Sequence, residues 1–120
     1  MANEITLTWR CDVTSGNYSP GAIMISNQQI DQAAVGCAEG VQAIGTSEES
    51  LSTGDLTTYG WLFIRNLDDT NYVQLGFSTG VYGCRLEAGE CAMFRTEPAA
   101  TIYLKANTAA CDVQYRWLED

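Results

Sequence analysis

Apolar side chains at every second position open this chain: Ile5, Leu7, Trp9, Cys11 and Val13 alternate with Thr6, Thr8, Arg10, Asp12 and Thr14. A period of two puts the first set on one face of an extended segment and the second set on the other, which is the pattern of a half-buried β-strand. The far end repeats it, with Cys111, Val113, Tyr115 and Trp117 alternating with Asp112, Gln114 and Arg116. Both ends are therefore expected in sheets. Between them, runs at 22–26, 35–44, 62–66, 72–77, 81–86, 91–95 and 101–106 have strand composition, and turn-forming stretches (SGNYSPG, GTSEES, STGD, LDDTN, STG, EAGE) separate them.

The runs WLFIRN and YVQLGF, joined by LDDTN, read as a hairpin, and the first of them, apolar on both faces, reads as a central strand. NQQIDQAA at 27–34 is the one stretch where a short helix competes, and it lacks a sustained 3.6-residue period. The expectation is an all-β protein, an antiparallel β-sandwich of eight or nine short strands. Jelly-roll-like order is preferred over an immunoglobulin-like one, because no tryptophan stands between two paired cysteines in the immunoglobulin manner. With 120 residues, 46% of them hydrophobic, the chain has material for one core and little more. Residues 1–120 are thus read as a single sandwich domain with a short N-terminal arm, MANEI.

Charge narrows the function. Six basic against fifteen acidic side chains give 6 − 15 = −9, with no histidine and a single lysine, Lys105. A chain so acidic lacks the footprint that binds phosphate backbones, so nucleic acid is not an expected partner. Without histidine it also lacks the commonest general base, the commonest zinc ligand and the usual neutral-pH switch. No run of 18 apolar residues is present and no basic amphipathic stretch, so no membrane partner is expected. MANEITLTWR has no cationic segment leading into an apolar one, which predicts a chain that starts in the cytoplasm. The five cysteines, Cys11, Cys37, Cys84, Cys91 and Cys111, are an odd number without a CxxC pair and read as thiols, although Cys84 and Cys91 flank LEAGE and are candidates for a bridge across a hairpin.

The candidates for chemistry have ordinary readings. Glu48/Glu49 and Asp68/Asp69 are adjacent pairs in predicted turns, where carboxylates accept from backbone N–H groups, and neighbouring strand positions point to opposite faces instead of converging on a substrate. DDTNY lacks the spacing of a calcium loop. Cysteine nucleophiles have no histidine to draw off the proton, and Cys11 and Cys111 lie in the apolar phase of their strands. Trp9 and Trp117 share that phase and are expected in the core, while Tyr59, Tyr72 and Tyr82 at strand ends are freer to bind a glycan. No catalytic residue, cofactor or metal site is expected.

Three stretches carry a resemblance: IGTSEESLSTGDLTTYGWLFIRNLDDTNYVQLGF at 44–77, RLEAGECAMFR at 85–95 and LKANTAACDVQYRWLED at 104–120. Within them, Gly45 to Glu49, Gly60 to Gly76, Leu86 to Glu90 and Ala106 to Tyr115 resemble the recurring segments of small virion structural proteins of tailed bacteriophages, the group that includes capsid decoration or cement proteins. This resemblance implies a β-sandwich present in many copies on the outer shell, a homotrimer, with the major capsid protein as partner. It also implies a virion location after synthesis in the host cytoplasm. The chain departs from the pattern at Trp9, Cys11, Cys84, Cys91 and Trp117, where related chains carry smaller or aliphatic groups. Contacts are expected at strand edges and loops: Ala2, Asn3 and Glu4 in the arm, and Asp68, Asp69 and Tyr72 at the LDDTN turn. A tail, neck or head-fibre-base component and a lectin-like, glycan-binding adhesin are the alternatives.

Overall fold

A computed structural model describes residues 3–120. Ten strands and no helix are found among the described residues, and the chain divides into two compact units, Met1–Ala33 and Ala34–Asp120.

The first unit is a two-stranded antiparallel ribbon of β1 (Ile5–Cys11) and β2 (Ile23–Ile30). Cross-strand partners Ile5↔Ile30, Leu7↔Gln28, Trp9↔Ile25 and Cys11↔Ile23 put the apolar phase of β1 on one face, while Thr6↔Gln29 and Arg10↔Met24 belong to the other. The register slips between Leu7 and Trp9, and there Asn27 takes a left-handed φ of 55° and donates its N–H to the Thr8 hydroxyl at 3.3 Å. An extra residue in the left-handed conformation is how a bulge is accommodated, and asparagine tolerates it better than most side chains. The competing helix at 27–34 is therefore not formed: Asn27 to Ile30 continue β2, their backbone taken up by pairing with β1.

The second unit holds two antiparallel four-stranded sheets. One has the order β3 (Cys37–Ile44), β10 (Cys111–Leu118), β5 (Trp61–Asn66), β8 (Cys91–Arg95). The other has the order β4 (Glu49–Ser50), β9 (Tyr103–Ala106), β6 (Val73–Gly76), β7 (Cys84–Leu86). The pairings nest: β3 with β10, β4 with β9, β5 with β8 and β6 with β7. One hydrophobic cluster draws on both sheets, with Leu62, Ile64, Val113 and Trp117 from the first and Val73, Leu75 and Leu104 from the second, none more than 1% exposed. Two sheets burying their inner faces against each other give a sandwich-like body, and each such side chain contributes on the order of 1.5–3 kcal/mol by leaving water.

The alternation expected at the C-terminal end is present: Cys111, Val113, Tyr115 and Trp117 are buried while Asp112, Gln114 and Arg116 are exposed, and β10 lies between two neighbours. β5 is also interior, as its two apolar faces predict. Three expectations are corrected. WLFIRN and YVQLGF are not a hairpin, because β5 and β6 belong to different sheets and LDDTN carries the chain from one to the other. Cys84 and Cys91 do not face each other across a hairpin, since β7 pairs with β6 and β8 with β5, and all five thiols are free. Cys11 is exposed, at the end of the ribbon.

Candidate functional site

The corner between β5 and β6 holds three of the expected contact residues, and the sequence builds it from short polar side chains. Asn66, fully buried at the end of β5, donates its side-chain amide to the carbonyls of Asn71 (2.9 Å), Leu86 (3.2 Å) and Glu87 (3.3 Å), and its Oδ1 accepts from Asp68 N–H at 3.0 Å. Asp68 Oδ2 in turn accepts from the backbone N–H groups of Thr70 and Asn71. These donors hold its carboxyl below the ordinary value of 3.8. Asp69 is exposed, and its Oδ1 accepts from the Thr70 hydroxyl at 2.9 Å. Tyr72, half-buried, is fixed by a reciprocal pair with Asn107, whose Oδ1 accepts from Tyr72 N–H at 3.0 Å and whose own N–H donates to Tyr72 O at 3.2 Å. The Arg85 guanidinium lies 3.9 Å from the centre of the Tyr72 ring, a cation–π contact.

Asp68, Asp69 and Tyr72 thus share one loop, but Asp68 is committed to closing the turn and the two carboxylates do not form an acid–base pair. That engagement is what the turn chemistry of LDDTN predicts. No group of three or more His, Cys, Asp or Glu side chains able to hold a metal ion is found among the described residues.

Asn3 and Glu4 belong to the ribbon unit, and Ala2 lies outside the described residues. Asn3 N–H donates to Asp31 Oδ1 at 2.7 Å, and Glu4 Oε2 accepts from Gln32 N–H at 3.1 Å. Both bonds join the start of β1 to the end of β2 and close that end of the ribbon. The feature that sequence reasoning passed over lies at the other end: Ile23, Met24 and Ile25 are 74%, 55% and 50% exposed. Their consecutive apolar run, AIMIS, was the available signal.

Of the tyrosines expected to be free, Tyr59 stacks on Trp117 with ring centroids 4.6 Å apart, and Tyr82 donates its hydroxyl to Glu48 Oε2, which also accepts from Gly80 N–H at 2.7 Å. The Glu48 bond raises the Tyr82 phenol to about 12, and the two donors lower the Glu48 carboxyl. Trp117 is fully buried, as expected, and Trp9 is half-buried.

No protein-family model matches the chain, and comparison with curated proteins and with solved structures finds no similar protein.

Proposed function

We propose that this protein works by adhesion, as a capsid decoration protein of a tailed bacteriophage that binds the outer surface of the assembled head and stabilises it against internal DNA pressure. The observation that carries the reading is the ribbon: a compact unit of its own in which Ile23, Met24 and Ile25 are exposed, while in the other unit Asp68 is occupied in closing a turn. Ile23 and Ile25 share one face of the ribbon, and exposed apolar side chains gathered on one face mark a surface that meets another surface. The carboxylates of Asp68 and Glu48 are bonded to backbone or phenol donors and are not aimed at a shared reacting centre. The resemblance of 44–77, 85–95 and 104–120 to virion structural proteins supplies the partner, the major capsid protein.

A ligand that binds only the assembled shell stabilises it by mass action, and repetition over many lattice sites multiplies a modest contact energy per copy. The acidic body suits the outside of a particle packed with DNA. We further propose jelly-roll winding for the body. Its support is the nested pairing, in which four successive strands fold back on the next four as one long hairpin rolled into two sheets.

The test is co-sedimentation of the purified chain with expanded heads, unexpanded heads and tails of the phage that encodes it, alongside a glycan array. Saturable binding to expanded heads with a silent array supports the reading. Glycan binding without head binding favours the adhesin, and no binding to heads or to tails overturns the virion assignment.

A further inference from the structure

We propose that the outward face of the β3–β10–β5–β8 sheet is a second docking surface and that its occupant is an acidic patch of the major capsid protein, a choice of partner that rests on the virion reading. A sandwich sheet that meets only water alternates buried apolar with exposed polar side chains. β5 breaks that rule. Between its buried Leu62 and Ile64, the outward positions hold Trp61 and Phe63, both half-buried, and Phe63 stands opposite Met93 of β8. Val41 of β3, also outward, is 59% exposed. Tryptophan, phenylalanine and methionine are, with arginine, the side chains that protein interfaces concentrate.

The arginines decide the occupant. Arg65, Arg95 and Arg116 lie on this face against Glu39 and Asp112, so the four strands carry 3 − 2 = +1. Residues 34–120 as a whole carry 5 − 12 = −7, which leaves −8 on the rest of that unit. Arg95 is paired with Asp120 and Arg116 with Glu39, as Arg10 is with Asp12 and Arg85 with Glu87. Among the described residues Arg65 is the arginine with no carboxylate: it is exposed between Cys91 and Gln114, and its Nε donates to Gly89 O at 3.3 Å. A guanidinium fork matches a carboxylate at two points, and the Phe63–Met93 pair, two residues along the strand, offers an apolar anchor beside it. A nucleic acid would meet a strongly acidic surround for one open guanidinium. A hydroxyl-rich glycan would leave the Phe63–Met93 pair without an apolar partner. A protein surface with an acidic group set among apolar side chains meets both requirements, over a face four strands and roughly 14 Å wide.

The experiment is co-sedimentation with expanded heads, read together with the chain's own thiols. Arg65→Glu is expected to bind heads about tenfold more weakly, or worse, than wild type. Lys105→Glu makes the same change of charge on the other sheet and is expected to bind as wild type does. Cys37 and Cys91 are exposed on the two edge strands of the proposed face, and Cys84 is exposed on the other sheet. Alkylation of head-bound wild type, mapped by mass spectrometry, is expected to lose Cys37 and Cys91 and to retain Cys84. Arg65→Glu binding that equals wild type, an equal loss in Lys105→Glu, or Cys91 labelled as fast on heads as in the free chain would each overturn the inference and leave the virion reading standing. So would Cys91 protected in the concentrated free chain, which makes a second copy the occupant, or array binding that Arg65→Glu abolishes, which makes it a glycan. Wild type that fails to sediment with heads would sink the inference and the virion reading together.

Discussion

Trp117 donates its indole N–H to the hydroxyl of Thr96 across 3.2 Å, inside the body and away from water. The hydroxyl donates its own hydrogen bond to Gly60 O at 2.9 Å, and the Thr96 N–H donates to the same carbonyl at 2.9 Å. One threonine thereby satisfies the polar edge of the largest core side chain and ties the segment after β8 to the start of β5. Thr96→Val keeps the shape and removes the acceptor, leaving the indole N–H buried without it. Such a loss costs about 2 kcal/mol. Urea unfolding followed by tryptophan fluorescence checks this, with Thr96→Ser retaining most of the wild-type stability.

Asn66 governs the crossing between sheets. Asn66→Leu strips three carbonyls and the Asp68 N–H of their partner, so the expected destabilisation is about 3 kcal/mol. Asp69→Asn, three residues on and exposed, is expected to stay within about 0.5 kcal/mol of wild type. The same unfolding measurement on both variants separates the buried corner from its solvated tip.

Two glycines differ in what a methyl group would meet. At Gly76 a Cβ would collide with the Val81 carbonyl and come within 3.0 Å of Tyr82 Cα, both backbone, whereas at Gly83 it meets open space. Gly76→Ala is expected to destabilise by about 1–3 kcal/mol through the shift it forces, and Gly83→Ala to be near neutral. Thermal midpoints of the two variants provide the comparison.

The Glu48–Tyr82 bond predicts a two-sided pH window. The Glu48 carboxyl lies below its ordinary 4.5 when folded, so its contribution is present above pH 4.5 and is lost as pH falls through the depressed value; Asp68 acts in the same direction below 3.8. The Tyr82 phenol is raised from 10.0 to about 12, so its contribution is complete below pH 10.0 and is lost as pH climbs toward 12. Tyr82→Phe should flatten the alkaline limb of thermal midpoint against pH relative to wild type. Glu48→Gln should weaken the acid limb, Asp68 retaining its share.

How much of this was legible depends on whether the deciding contact is local. β10 was readable because one face of it is covered along its length, which imposes the two-residue period from Cys111 to Trp117. The turn role of Asp68 was readable because its donors are two and three residues away. LDDTN was misread as a hairpin loop because its length suits both a hairpin and a corner. What separates them is the Asn66 amide reaching Leu86 and Glu87, twenty and more residues along the chain. β4, two residues long, has no period to detect, and the polar half of β2, SNQQ, offers no apolar alternation. Cys11 has the apolar phase of a buried strand position, yet its end of the ribbon is exposed.

The most direct measurement is a reconstruction of the intact virion at a resolution that traces strands. The account predicts density for the two four-stranded sheets repeated at lattice sites on the outside of the head, with β2 at a protein–protein contact. Density for this chain lying inside the shell, or its absence from the particle, would contradict it.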